Sequence, residues 1–298
     1  MTGQSVADHG FAGREAAPLT LRPTARDRTL IAQRIALAED LLRQCCFCQH
    51  RCRVDRTRGE MGKCGCDATS HAYSEEVLWG EEEFITPSYA IFFAGCNLRC
   101  AFCSASESNL QPQNHTPIAA EAVARRVRRC EPRPASFSLI GGEPTVHLHT
   151  CLRLIAALPP DLPVVWNSNF YFTHSAAQLL EGLVDVFIAD VHFGNDDCAR
   201  SLAGVESYLE TLTRNLQWAN SAGTLVARHL VLPGHLECCT RPALELLAEE
   251  LPRVPIHIMT SYVPPTAPTI GELGRELDEQ EAARAFEIGQ SLGLRTTE

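Results

Sequence analysis

From about residue 88 onward, short apolar runs alternate with stretches whose apolar positions recur at helical spacing. The runs of strand length are Ala90–Ala94, Ser136–Ile140, Val164–Asn167, Val184–Ala189, Leu225–Val231 and Ile256–Met259. The helical stretches fall near 117–130, 147–158, 174–182, 206–221, 241–250 and 278–291. Six strands, each followed by a helix, predict a parallel α/β sheet with crossover helices. The runs are almost continuously apolar, as strands are when both faces are covered. Curled, the pattern is a six-stranded partial (β/α) barrel; flat, it is a doubly wound sheet. Either way, ligands gather at the C-terminal ends of the strands.

The chain before residue 88 reads differently. Residues 1–27 are polar and aperiodic, which predicts a mobile arm. Leu30, Ile31, Ile35, Leu37, Leu41 and Leu42 predict a helix over about 28–44. Residues 45–66 are rich in Cys, Gly and Arg and have no apolar period. Such a segment must be organised by something other than a core, and metal is the obvious candidate. The expected division is an arm (1–27), a helix with a cysteine-rich metal-binding extension (28–87), and the barrel domain (88–298).

Composition sharpens this picture in two places. The 298 residues carry 26 basic and 36 acidic side chains, a formal charge of −10. That argues against nucleic acid or an anionic membrane as a partner. No apolar run reaches the roughly 18 residues of a membrane span, and the polar start does not resemble an export signal. The expected location is therefore the cytoplasm. There, 14 cysteines point to ligands or catalysts rather than disulfides. Six lie between Cys45 and Cys66 and three between Cys96 and Cys103. Cys130, Cys151, Cys198, Cys238 and Cys239 are scattered and read as small buried hydrophobes or incidental thiols.

The sharpest motif is Cys96-Asn-Leu-Arg-Cys100-Ala-Phe-Cys103, directly after the first apolar run. Three thiolates on one short loop can hold three irons of a [4Fe–4S] cluster and leave the fourth open to a chelating ligand. A zinc site would need a fourth, distant ligand. Gly141-Gly142-Glu143-Pro144 ends the second strand, where glycines allow close backbone approach and a carboxylate can accept from an ammonium group. Asn167-Ser168-Asn169 ends the third, with short polar side chains suited to a ribose or carboxylate. Asp190-Val-His192 ends the fourth. Arg228-His229-Leu-Val-Leu-Pro-Gly234 closes the fifth. Only one of Arg228 and His229 can face the barrel interior, and His229 is the expected one. Tyr262, after the last strand, suits either the substrate mouth or packing. Glu81, Glu82 and Glu83 read as a solvated acidic edge.

In these motifs the sequence resembles the radical SAM superfamily, whose cluster loop is C-x₃-C-x-aromatic-C, with Phe102 in the aromatic place. The resemblance runs from about Cys45 to Gly293 and is nearest to the pyruvate formate-lyase activating enzyme-like branch. It implies a (β/α)₆ barrel in which Cys96, Cys100 and Cys103 hold the cluster and S-adenosylmethionine chelates the open iron. Reductive cleavage there would give a 5′-deoxyadenosyl radical that abstracts hydrogen from a substrate. It also implies cofactor-binding roles for Gly141, Gly142, Glu143, Asn167, Ser168, Asn169, Asp190, Arg228 and His229. His192 stands where related activating enzymes tend to have a lysine. No further catalytic residue is implied.

Cys45, Cys48, Cys52 and Cys64 are spaced C-x₂-C-x₃-C-x₁₁-C. Four such thiolates can wrap zinc or an auxiliary iron–sulfur cluster, and the same spacing occurs in this branch of the family. Cys46 and Cys66 are left over. The implied partners are a reductant such as flavodoxin or ferredoxin and a protein substrate, as for a glycyl-radical enzyme activase. Modification of a peptide or small metabolite is the alternative. Activating enzymes with extra clusters usually carry those cysteines after the first loop, whereas here they precede it. An iron–sulfur electron carrier or a zinc-organised interaction module would use the cysteines but not the polar strand ends.

Overall fold

The computed structural model describes residues 21, 23–265 and 271–297. Among these, nine strands form one sheet: β1 (His71–Leu78), β2 (Ser88–Phe93), β3 (Thr116–Pro117), β4 (Ser136–Gly141), β5 (Val164–Ser168), β6 (Val186–Asp190), β7 (Thr224–Leu230), β8 (Pro255–Met259) and β9 (Arg295–Thr297). The helices are α1 (Arg28–Leu41), α2 (Ser106–Leu110), α3 (Ala120–Arg129), α4 (Leu148–Ala157), α5 (His174–Leu180), α6 (Asp196–Ala203), α7 (Tyr208–Ala222), α8 (Arg241–Glu250) and α9 (Glu279–Ser291).

The strand order is β3-β1-β2-β4-β5-β6-β7-β8-β9, parallel from β2 to β9, with β1 antiparallel to β2. The six predicted strands are β2 and β4 to β8. Phe92 of β2 and Met259 of β8 line the same cavity, so the sheet curls into a partial barrel rather than lying flat.

The side-chain alternation along each strand sorts residues between two faces. Trp166, Phe187 and Ala189 join the main core under the helices, while Val165, Val186 and Ile188 form a separate inner cluster with Ile85. Leu21 and Phe84 pack against that inner cluster. The inner face also carries buried hydroxyls: Ser88 and Ser138 are hydrogen-bonded at 2.6 Å, and Ser136 donates to the Ile85 carbonyl at 2.6 Å.

Two features depart from the sequence expectation. β1 carries Ser74, Glu75 and Glu76, so it lacks the apolar run that marked the other strands. It nevertheless extends the sheet across the expected boundary at residue 87. Glu75 there holds the Arg126 guanidinium of α3 and the Tyr89 hydroxyl. The expected mobile arm lies mostly outside the described residues, but its last part is fixed in place. The Thr24 amide donates to Asp185 Oδ1 at 2.5 Å, and Arg26 pairs with Asp185 Oδ2 at 2.8 Å. The two charged side chains are 3% and 2% exposed, so neither charge has water to fall back on. Arg26 also donates to the Leu162 carbonyl, and Asp185 accepts from the Val164 amide.

Removing one partner of a buried pair strands the other. Asp185→Ala is therefore expected to destabilise the fold by about 3–5 kcal/mol, read by urea unfolding. A loss below about 1 kcal/mol, the size of a surface pair, would show that this clasp does not hold the arm.

Candidate functional site

The cysteine loop is placed by glycines. Gly95 follows β2 at φ +101° and Gly141 ends β4 at φ +113°, conformations that L side chains avoid. The Gly142 amide donates to the Phe93 carbonyl at 2.7 Å and the Glu143 amide to the Gly95 carbonyl at 3.0 Å. A Cβ on Gly142 would sit 2.2 Å from both the Gly95 oxygen and Asn109 Oδ1. The two strand ends are thus zipped together, and residues 96–103 leave the zipper over the cavity.

Cys96, Cys100 and Cys103 all line this cavity of about 350 Å³. Burial pushes the Cys96 and Cys100 thiols up, so each needs a cation to be a thiolate. Donors already point at the sulfurs: the Leu98 amide at Cys96 (3.4 Å), Asn169 Nδ2 at Cys96 (3.7 Å) and Asn109 Nδ2 at Cys103 (3.4 Å). Three thiols, with amide donors behind them, fit the role of three ligands to a [4Fe–4S] cluster, which would leave one iron open to a chelating ligand.

The same cavity is lined by Gly141, Gly142, Asn167, Ser168, Asn169, Asp190, His192 and Arg228. Glu143 is not among them. Its carboxylate is fully buried and accepts from the Thr145 amide, Ser168 Oγ and the Asn169 amide, each at 2.9 Å. Burial raises its pKa, and these donors pull it back. Glu143 therefore shapes the β5 end rather than presenting its side chain to a ligand.

The expected orientation of the Arg228–His229 pair is reversed. Arg228 stands in register with Asp190 on the neighbouring strand, and both line the cavity. His229 faces outward, with Nδ1 on the Val191 carbonyl (2.7 Å) and Nε2 on Thr240 Oγ1 (3.0 Å).

Arg228 is held by Glu82, at 2.6 Å and 2.9 Å, and by Glu81. The acidic edge is therefore no solvated edge: Glu81 and Glu82 side chains are 18% and 11% exposed. Nothing in the local sequence marks this clamp, because β7 and the loop before β2 meet only through barrel closure. Burial pushes the Asp190 carboxyl up to about 7, against the pull of Arg228. Burial also lowers His192 to about 4, so its ring is neutral at pH 7. Tyr262 donates to the Leu273 carbonyl at 2.7 Å, a packing role.

The second cysteine group gathers as spaced. Cys45, Cys48, Cys52 and Cys64 surround one small cavity with Arg56 and Gly62, while Cys66 lies apart under Gly95. Arg56 is 1% exposed and has no carboxylate among its hydrogen-bond partners. It donates to the Asp67 and Val146 carbonyls and approaches Cys45 Sγ at 3.8 Å. A buried guanidinium without a carboxylate calls for another anion, and thiolates around a metal would supply it. The free volume is about 10 Å³, room for a single ion or water. No three of these sulfurs meet the spacing of a single-ion shell, with all ligand atoms within 4.8 Å, among the described residues. The volume favours zinc and the spread of the sulfurs favours a cluster. Rotation of the cysteine side chains about χ1 changes both the void and the spread, so the four thiols accommodate either metal.

The radical SAM superfamily model matches residues 90–247. The chain is 32% identical over 273 residues to an uncharacterized protein of Methanocaldococcus jannaschii, covering 89% of this chain and 80% of that one. Its fold is similar to a radical SAM methyltransferase from Sphaerobacter thermophilus, with TM-score 0.54, 15% identity, and 74% and 67% of the two chains covered. It is also similar to Streptococcus suis SuiB, with TM-score 0.50 and 15% identity over 70% of this chain and 47% of that one. The chain thus spans just under half the length of SuiB, and at these identities the likeness is one of fold.

Two predictions follow from the site's geometry. Gly142→Ala is expected to part the strand ends and abolish iron uptake at Cys96, Cys100 and Cys103; a full complement of iron would show that the zipper tolerates a side chain. After anaerobic reconstitution, the triple variant Cys96/Cys100/Cys103→Ala is expected to keep metal at the second group, about four irons if a cluster or one zinc if a single ion. Adding Cys48→Ala should remove it. A triple variant without metal would eliminate the second centre.

Proposed function

The chain belongs to the radical SAM superfamily, and from that premise we propose that its substrate is a segment of a protein or peptide, presented at the barrel mouth and relieved of one hydrogen atom there. A [4Fe–4S] cluster and S-adenosylmethionine supply the hydrogen-abstracting chemistry when bound. Cys96, Cys100 and Cys103 hold the cluster, and the amides of Leu98, Asn109 and Asn169 steady their sulfurs. The backbone of Gly141 and Gly142, Asn167 and Asp190 hold the cofactor from the other strand ends. Asp190 suits its ammonium group, and Arg228, fixed by Glu81 and Glu82, keeps the Asp190 charge in check. Neutral His192 brings no cation to the place where the activating enzymes this sequence resembles have lysine. A reductant such as flavodoxin or ferredoxin supplies the electron. We place the reaction in the cytoplasm, in keeping with 14 free thiols. No helix among the described residues is long and apolar enough to cross a membrane.

The observation that carries the substrate class is the size of the cavity. At about 350 Å³ it is at the small end of the roughly 300–1,000 Å³ of pockets for one drug-sized ligand, and the cluster and the cofactor must share it. A buried metabolite would need further room. A chain segment needs only to bring one residue to the opening. The glycine Cα of a glycyl-radical enzyme is one such target.

The test uses a lysate of cells grown in heavy water, split into macromolecules and small molecules. Reduced protein with S-adenosylmethionine is expected to give deuterated 5′-deoxyadenosine with the macromolecular fraction, and to lose it when that fraction is first digested to amino acids. Deuterium transfer from the small-molecule fraction alone would overturn the substrate class. Cys96→Ala, Cys100→Ala and Cys103→Ala are each expected to abolish 5′-deoxyadenosine formation; product from any one of them removes that residue from the ligand set.

A further inference from the structure

Two cysteines that read as incidental in the sequence, Cys198 and Cys238, converge with His235 on the barrel rim. Cys198 sits in the first turn of α6, after β6. His235 and Cys238 lie in the loop after β7, where residues Leu236–Thr240 form a π-helical turn. The ligand atoms of all three lie within 4.8 Å of one another. Cys198 Sγ is 3.9 Å from Cys238 Sγ, and Cys238 Sγ is 3.3 Å from His235 Nδ1. A tetrahedral zinc shell with Zn–S near 2.3 Å and Zn–N near 2.0–2.1 Å sets sulfurs about 3.8 Å apart and sulfur from nitrogen about 3.6 Å. The observed separations match a shell of that size.

We propose that Cys198, His235 and Cys238 form a mononuclear zinc site with its fourth position open to solvent. Cys198 is buried, His235 half-buried and Cys238 exposed, so the shell is closed on the protein side only. Three ligands with an open fourth place are the pattern of reactive rather than purely structural zinc. A water or a substrate donor such as a thiolate or carboxylate completes the shell.

The surroundings support a built site. Asn195 Nδ2 donates to Cys198 Sγ at 3.3 Å and also to the Cys238 carbonyl, joining the two loops. Its Oδ1 accepts from the Cys198 amide at 2.7 Å, fixing the start of α6. Such outer partners orient ligands and tune affinity. Behind the site, Cys239 Sγ accepts from the Gly194 amide at 3.3 Å and contacts the His192 carbonyl at 3.7 Å. His192 lines the cofactor cavity, so the zinc site stands behind its wall, between the loops that follow β6 and β7. π-helical turns gather at functional sites, and this one brings His235 and Cys238 to the same point.

The test compares full-length wild type with Cys238→Ser, an exposed position, and Cys198→Ser. Each is purified anaerobically, reconstituted with iron and sulfide, and titrated with zinc, then separately with cobalt as a spectroscopic stand-in. Wild type is expected to bind one more equivalent of zinc than either variant. Its cobalt spectrum should show tetrahedral thiolate bands missing from both. Asn195→Ala should weaken zinc binding by roughly 10–100-fold. Iron content and circular dichroism equal to wild type show that a variant is folded, and Cys238→Ser alone suffices if Cys198→Ser is not. Equal zinc stoichiometry and equal cobalt spectra in wild type and folded Cys238→Ser would overturn the site. So would a Cys198–Cys238 disulfide, found by mass in the zinc-treated protein.

Discussion

The carboxylate of Glu143 ties the site together. A carboxylate with no solvent exposure must be satisfied by fixed donors or be neutral. Its three donors come from its own turn and from the end of β5, so its burial locks Ser168 and Asn169 in place. Asn169 then passes the constraint on, donating to Asn97 Oδ1 at 2.8 Å and pointing at Cys96 Sγ. One buried charge thereby connects β4, β5 and the cysteine loop. The Gly142 and Glu143 amides close the circuit on β2. The glycines are needed because this circuit brings backbone to backbone, with no space for a Cβ.

The barrel interior is then a problem of charge balance. Asp190 and Arg228 are neighbours on parallel strands and both face inward. Arg228 brings one positive charge to this wall. Glu81 and Glu82 absorb it from outside the six-strand core, through the loop before β2. The inner wall consequently holds a guanidinium fork that is already paired and has little freedom to swing, beside an acid whose ionisation depends on what binds. With one guanidinium set against Glu81, Glu82 and Asp190, such a wall suits the ammonium group of a ligand rather than its carboxylate.

Much of this was legible from residues alone, for a physical reason. Strands buried on both faces, such as β5 and β6, are apolar up to the polar residues at their C-terminal ends, and six such runs announce a parallel barrel. Cysteines and glycines at strand ends announce chemistry, because neither is cheap to keep there. Three kinds of feature were not legible. β1 is half-exposed, so its serine and glutamates hid it. Whether Arg228 or His229 faces inward depends on register with β6, and the neighbours Ala227 and Leu230 fit either face. The Cys198 site joins loops that are 37 residues apart in sequence between Cys198 and His235. Only the His-x-x-Cys step at His235 and Cys238 carried a local signal, and a single such step is too common to weigh.

The cysteine-rich extension is not an appendage to this design. His50 Nε2 meets the Asn97 carbonyl at 2.8 Å, and Arg99 donates to the Lys63 carbonyl at 2.6 Å. Cys66 lies so close beneath Gly95 that a Cβ there would come within 2.4 Å of its sulfur. The cluster loop is therefore held from below by a segment with few apolar residues to fold it. Residues 45–66 take their order from the buried Arg56 and from these contacts, and metal on the four cysteines would add to it, because binding energy at a site absent from the unfolded chain is folding energy. Metal at the second centre would thus help set the geometry of the first, whether or not electrons ever pass between them.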